Sequence, residues 1–283
     1  MTKYPFVPGH EIIGKVAATG SMVTHLSKGQ RVGVGWRSES CQTCLQCLGG
    51  YHNRCLNGED VIVGRHGGFA NKVRCQGLWA FPLPDNLDYE SAGLLFCGSI
   101  TVFAPLIQNN INSTNHVAVV GIRGLGHMAL LFSRAWGCEV TAFSTNPNKS
   151  KEAKSLGVNH FYNSNNIDEL KSLSNKFDLI IVTTNVELDW DSFIGTLAQE
   201  GKLHIVGAVD QIKAKVFPFI SQETSMGGSP TGSPSVIIKM SEFCQRHGIK
   251  PMTEEFPLTR INEGLSHLDR GLARYRIVLK NDL

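Results

Sequence analysis

Four of the eight cysteines fall within fifteen residues, as Cys41-x-x-Cys44-x-x-Cys47 followed by Cys55. Thiols at that density suit one tetrahedral ion, because four thiolates close the coordination sphere and leave no open position for chemistry. The expectation is a structural zinc. The competing reading is an iron–sulfur cluster, in an electron carrier that would be brown and absorb visible light. The bacterial ferredoxin run places three residues before its fourth cysteine and a proline after it. Here seven residues separate Cys47 from Cys55, and Leu56 follows.

Further metal-ligating types stand well apart along the chain, in Pro8-Gly9-His10-Glu11 and in Cys97-Gly98-Ser99-Ile100-Thr101. Either alone carries little weight, since a lone cysteine usually behaves as a small hydrophobe. Taken together, His10 and Cys97 supply two of the three protein ligands that a catalytic zinc usually takes, with the fourth position open to substrate. Spacing does not assign the third.

The third constellation is Gly121-Ile122-Arg123-Gly124-Leu125-Gly126. A short apolar run, His116 to Val120, precedes it, and apolar residues at helical spacing from Met128 to Trp136 follow. A glycine turn between strand and helix is the setting in which a dinucleotide pyrophosphate rests on free N–H groups and the helix dipole. Gly121 and Gly126 occupy the first and third positions of the G-x-G-x-x-G fingerprint. Arg123 stands at the second, where it either adds a phosphate contact or blocks the turn. The next strand ends in Phe143-Ser144-Thr145-Asn146-Pro147-Asn148-Lys149 without the acid that an NAD site uses for the ribose 2′-hydroxyl. Two hydroxyls and an ammonium, on Ser144, Thr145 and Lys149, predict a 2′-phosphate and so NADP.

These groups need elements to hold them. Residues 1 to about 100 are rich in glycine, turn signals and short β-prone runs such as Glu11 to Val16, which predicts a compact β-rich domain. From about Asn115 strands alternate with helices: strands over Glu139–Phe143, Asp178–Val182 and Lys202–Val206, and a helix over Lys149–Leu156. That alternation implies α/β structure with a parallel sheet covered on both faces. Met226 to Pro234 is dense in Gly, Ser and Pro and reads as a loop or hinge. A helix over about Ser235–His247 follows, and the β-prone run Arg274–Leu279 is expected to return to the first domain.

Composition narrows the class. With 42% hydrophobic and 18% charged residues and a formal charge of +3, the chain reads as a globular enzyme. Its scattered Lys and Arg give no footprint for nucleic acid. There is no apolar run long enough to span a membrane, and the opening Met1 to Pro8 has no signal-peptide core, so a cytoplasmic location is expected. Eight cysteines in a reducing compartment point to metal rather than disulfides.

On His10-Glu11, Cys97, the four-cysteine lobe and the glycine turn, the chain resembles the cinnamyl-alcohol-dehydrogenase-like branch of the zinc-dependent medium-chain alcohol dehydrogenases. The resemblance runs from Tyr4-Pro5-Phe6-Val7-Pro8-Gly9-His10-Glu11 to Ala273-Arg274-Tyr275-Arg276. It implies a Rossmann-type doubly wound parallel sheet over 107–240, plus a β-rich, GroES-like catalytic domain over 1–106 and 241–283. It implies interconversion of alcohols and aldehydes with NADP(H), zinc in both sites, and a homodimer. His10 and Cys97 would bind catalytic zinc, with Glu11 an alternative ligand, and Cys41, Cys44, Cys47 and Cys55 structural zinc. Gly121, Gly124, Leu125 and Gly126 would form the cofactor turn. The nicotinamide would lie near Thr101, Thr183, Gly207 and the Ser225-Met226-Gly227 turn. The resemblance also places a Cys-x-x-Cys-His motif, with the first catalytic ligand and a proton-relay hydroxyl, upstream of Gly9-His10-Glu11. This sequence starts after that point, so reduced or absent turnover is expected of it. The alternative is a catalytically impaired zinc- and NADP-binding remnant, which would hold one zinc ion rather than two.

Overall fold

The structure, a computed structural model, describes residues 3–84, 87–88 and 90–283; Met1 and Thr2 of the opening segment lie outside the described residues. The chain divides into two compact units, Met1–Ile100 with Thr231–Leu283, and Thr101–Pro230. The joints fall six and ten residues ahead of the expected boundaries at 106 and 240.

The first unit opens with short strands: β1 (Ile12–Lys15), β2 (Arg31–Val34) and β3 (Arg37–Glu39). Helix α1 (Leu45–Leu48), β4 (Glu59–Asp60) and β5 (Phe81–Pro82) follow. The order β1-β2-β5 forms an antiparallel sheet, and β3 pairs with β4. Leu26, Val32, Val34, Val61 and Ala80 make its core, with Ile12, Val16 and Val23 packed against them. A fully buried 3₁₀ turn, Ala92–Phe96, lies over β2, with Phe96 stacked on Phe81 at 5.8 Å. A Cβ on Gly33 would meet the Phe96 ring at 2.0 Å, and one on Gly35 the Phe96 carbonyl oxygen at 1.9 Å. The bare backbone of these two glycines therefore sets how closely the turn approaches the sheet. Helix α2 (Gly98–Gln108) begins just after this turn, and the first joint falls within it.

The second unit alternates strand and helix: β6 (His116–Val120), α3 (Gly126–Trp136), β7 (Glu139–Ser144), α4 (Ser150–Ser155) and β8 (His160–Asn163). It continues with α5 (Ile167–Ser172), β9 (Phe177–Val182), α6 (Trp190–Ile194), β10 (Leu197–Ile205), α7 (Phe217–Ser221) and β11 (Ser225–Gly228). All six strands are parallel, in the order β8-β7-β6-β9-β10-β11. Every residue of β6 is buried, as a strand covered on both faces requires. Phe143 meets Phe177 and Phe193 edge-on at 5.7 and 5.3 Å in a core closed by Trp190. The strand order reverses between β6 and β9, and in doubly wound sheets ligands bind beyond the carboxyl ends of the strands at such a switch point. One expectation is corrected here: Met226 to Gly228 are not loop but belong to β11, which hydrogen-bonds along β10. Gly and Ser tolerate this at a sheet edge, where only one side of the ladder has to be satisfied.

The chain then returns to the first unit with α8 (Pro234–His247), β12 (Thr253–Pro257), α9 (Ile261–Asp269) and β13 (Arg276–Lys280). β12 and β13 pair in parallel. No helix among the described residues is long and apolar enough to cross a membrane.

Within the second unit, His204 of β10 is buried. The Asn109 amide nitrogen lies 3.2 Å from its Nδ1 and the Ser229 hydroxyl 2.9 Å from its Nε2. An amide nitrogen can only donate, so Nδ1 accepts and Nε2–H donates to Ser229. Burial pushes the imidazole pKa down to about 4. Because the folded-state value lies below the unfolded one, this neutral imidazole contributes fully above about pH 6.5, and its contribution is lost as pH falls towards 4. The loss amounts to roughly 3 kcal/mol. His204→Gln is expected to remove that part of the acid sensitivity. Urea unfolding of both proteins at pH 7 and pH 4 measures it, and equal losses in the two would show that His204 has no such role.

Candidate functional site

The four-cysteine lobe is built locally. Cys41 follows β3, Cys44 precedes α1, Cys47 is buried within α1, and Cys55 follows a single 3₁₀ turn, His52–Arg54. The four sulfurs lie within 4.8 Å of one another. Cys41 Sγ and Cys47 Sγ stand 3.9 Å apart, Cys44 Sγ and Cys55 Sγ 4.0 Å. The edge of a tetrahedron with Zn–S bonds of about 2.3 Å is about 3.8 Å, so these separations fit one central zinc. A disulfide needs about 2.05 Å. The Cys41 amide donates to Cys55 Sγ and the Cys44 amide to Cys41 Sγ, at 3.4 and 3.3 Å. Amide donors, first from Thr43 and then from Cys44, draw the Cys41 pKa down to about 6. Burial and the neighbouring thiols push Cys47 up to about 12. A dication at the centre would resolve that opposition by deprotonating all four.

The second cluster is assembled from distant segments. His10 ends a loop held by the Gly68 amide on the Gly9 carbonyl at 2.8 Å and the Phe69 amide on Pro8 at 3.0 Å. Glu11 leads directly into β1, and Cys97 sits between the Ala92–Phe96 turn and α2. One ligand atom from each of His10, Glu11 and Cys97 lies within 4.8 Å of the others. Trp36 presents an edge contact to the His10 ring at 5.1 Å. Glu11 Oε1 accepts the Gly98 amide proton at 2.9 Å. Burial raises the Glu11 carboxyl pKa against the opposing pull of Arg276 and the Gly98 N–H. Burial, then the Glu11 charge, pushes Cys97 up to about 12. Burial and Arg276 lower His10, which keeps its imidazole neutral and able to ligate. Nitrogen, sulfur and carboxylate donors of this kind suit zinc, and a dication would reverse the two upward shifts.

Arg276, at the start of β13, is the residue that sequence reasoning missed. Its charge acts on all three donors. The close approach of its Nη2 to Gly98, 3.2 Å from where a Cβ would stand, puts the guanidinium at the cluster. Sequence position had marked it only as part of a C-terminal strand.

The glycine turn forms beyond the carboxyl end of β6. Gly121 takes a φ of +96°, and a Cβ on Gly126 would lie 1.8 Å from the Gly121 carbonyl oxygen. Among the described residues Arg123 is not one with positive φ, and its side chain is exposed, so the turn closes with arginine in place. Gly124 and Leu125 are half-buried ahead of α3. Ser144 ends β7, buried, and its Oγ accepts the Asn146 amide at 3.2 Å, while Thr145 is exposed. The Lys149 ammonium donates to the Ile122 carbonyl, which carries its charge to the glycine turn.

Thr183 and Gly207 join this group. The Thr183 hydroxyl donates to the carbonyls of Val120 and Gly121, and a Cβ on Gly207 would meet the Thr184 carbonyl at 1.8 Å. Thr101 is half-buried in α2. Ser225 does not join them. It pairs with Lys202, level with Leu179 and Val117, three residues before the carboxyl ends of their strands. Gly228, rather than Ser225, stands at the carboxyl end of that strand.

Residues 1–85 match the alcohol dehydrogenase GroES-like domain, and residues 124–246 the zinc-binding dehydrogenase domain. Aldehyde reductase AdhA of Synechocystis sp. is 47% identical over 282 residues, which cover 99% of this chain and 84% of that protein. The chain belongs to the zinc-binding alcohol dehydrogenases. Among solved structures, this dehydrogenase resembles the cinnamyl alcohol dehydrogenase of Sorghum bicolor, with a TM-score of 0.93 and 30% identity over 98% of this chain and 82% of that one. The Helicobacter pylori cinnamyl alcohol dehydrogenase complexed with NADP(H) matches with a TM-score of 0.88 and 28% identity, over 99% and 83%. As a member of this family the protein is an alcohol–aldehyde oxidoreductase.

The position of Cys97 depends on the Gly35–Phe96 contact. Gly35→Ala is expected to lower stability by about 1–3 kcal/mol, because the added carbon overlaps backbone that cannot move aside. Urea unfolding checks this, and an unchanged midpoint would mean that the turn is free to shift.

Proposed function

We propose that this alcohol dehydrogenase uses NADP(H) to interconvert primary alcohols and aldehydes, aromatic ones included. Its catalytic zinc would be held by His10 and Cys97, with Glu11 as the alternative ligand. The observation that carries this reading is the convergence of the three donors from segments as far apart as residues 10 and 97. The lobe of Cys41, Cys44, Cys47 and Cys55 would hold a second, structural zinc.

NADP(H) is supported by the absence of a carboxylate from Ser144 to Lys149 and by the placement of Lys149 against the glycine turn. The NADP(H) bound to the Helicobacter pylori relative agrees with this. Gly121, Gly124, Leu125 and Gly126 would seat the pyrophosphate on N–H groups at the start of α3. Ser144, Thr145 and Lys149 would take the 2′-phosphate.

Zinc in the catalytic site would supply Lewis acidity to the substrate oxygen. The nicotinamide would supply or accept the hydride. The protein's own part is electrostatic and steric. Gly98 N–H fixes Glu11 Oε1, and the Arg276 charge opposes the effect of burial on the Glu11 carboxyl and the Cys97 thiol. The Trp36 and His10 rings pack edge to face at 5.1 Å.

A homodimer is supported by the open edge of β11 and by Val216, Phe217 and Ile220, large apolar side chains exposed on or beside α7. A thiolate cluster built for metal suits a reducing, cytosolic setting.

Elemental analysis of protein purified without added metal, alongside NADPH-dependent reduction of a simple aromatic aldehyde, tests the reading. The expected result is two zinc ions per chain, with a reduced turnover, for want of the upstream ligand and relay hydroxyl, that NADH supports poorly. One zinc ion without turnover would leave a zinc- and nucleotide-binding remnant instead.

A further inference from the structure

Thr183 follows β9 directly, beside the end of β6, where the strand order of the second unit reverses. Its amide donates to the Val120 carbonyl at 3.0 Å. Its hydroxyl lies 2.9 Å from the same carbonyl and 3.0 Å from that of Gly121, so one proton is shared between two acceptors. The same oxygen would stand 3.1 Å from a Cβ on Gly121 and 3.1 Å from one on Gly126. It thus packs against the first and the last glycine of the turn. The neighbouring Thr184 fills the remaining space, with its methyl 2.5 Å from where a Gly121 Cβ would be. The Thr183 hydroxyl is therefore already committed to the protein, and its proton points to the backbone that forms the turn.

We propose that Thr183 is a positioning residue of the dinucleotide site. Its hydroxyl latches the end of β6 to the start of β9's outgoing loop, and so holds the Gly121–Gly126 backbone in the shape that presents its N–H groups to a pyrophosphate. It acts through the turn rather than by touching the nicotinamide, the role that resemblance alone suggested. This rests on the reading of the turn as the NADP(H) seat. The chemistry is specific: a donor is needed at that point, and a methyl of the same size cannot replace it.

The full-length variants Thr183→Val, which keeps the shape without the donor, and Thr183→Ser, which keeps the donor, test the latch. Calorimetry would measure the binding of NADPH and of 2′-phospho-ADP-ribose, which has both phosphate groups but no nicotinamide. The latch predicts that Thr183→Val weakens both ligands by the same factor, about tenfold, with zinc content unchanged. Thr183→Ser should restore both to within about twofold. A Thr183→Val protein that binds 2′-phospho-ADP-ribose as wild type does, while losing affinity for NADPH, would overturn the latch in favour of a direct nicotinamide contact. Amide hydrogen exchange of the ligand-free proteins separates this from the NADP(H) reading itself. Faster exchange across Ile122–His127 in the valine variant, reversed in the serine variant, supports the latch whichever nucleotide binds. Unchanged protection there overturns it. Failure of the wild type to bind either ligand would instead sink the NADP(H) reading.

Discussion

At Gly35 the Phe96 carbonyl, and at Gly126 the Gly121 carbonyl, lie 1.9 and 1.8 Å from the point a Cβ would occupy. Backbone touches backbone at both places, and no side chain can be accommodated without moving one of the two segments. The first contact brings the turn that carries Cys97 down onto β2, in the same sheet that Glu11 enters through β1. The second folds the loop after β6 tightly against the start of α3. Each unit thus places its chemistry by a close approach of main chain, which rigid packing transmits without slack.

The two clusters whose donors could hold a metal handle charge in different ways. In the cysteine lobe, backbone amides point at the sulfurs and favour thiolate at Cys41, while burial resists it at Cys47. Around His10, Glu11 and Cys97, burial dominates. It works against the carboxylate and the thiolate but suits a neutral imidazole, and Arg276 supplies the one opposing charge on the acid and the thiol. A site so arranged holds its donors close without accumulating negative charge. It gains most from a cation, because a dication supplies in one place what several hydrogen bonds supply in the lobe.

Much of this was legible before the fold was known, and the legible part has a common character. The cysteine lobe and the glycine turn each lie within fifteen residues, so that the local backbone alone brings their groups together. The strands β6 and β9 announced themselves through the apolar runs Val117–Val120 and Leu179–Val182, because a parallel strand is buried on both faces. The misreadings arose where local composition and tertiary pairing disagree. Met226-Gly227-Gly228 has the composition of a loop, yet it gains hydrogen bonds along β10 and becomes an edge strand. Ser225, which the resemblance sets near the nicotinamide, pairs with Lys202 three residues before the carboxyl end of its strand, a position that composition does not indicate. Thr183 carries a hydroxyl whose partners are sixty-two and sixty-three residues earlier in the chain, and no pattern in the residues around it could reveal them.

By itself the sequence determined the residue types that could bind metal and nucleotide, the two kinds of domain, and the lack of an acid at the end of β7. Tertiary structure alone decided that Arg276 faces His10, Glu11 and Cys97 from β13, and that Thr183 is spent on the turn. The reason is physical. Short-range geometry follows from the covalent chain and its turns, whereas contacts between distant segments depend on sheet order, register and close packing, none of which any single stretch of sequence encodes.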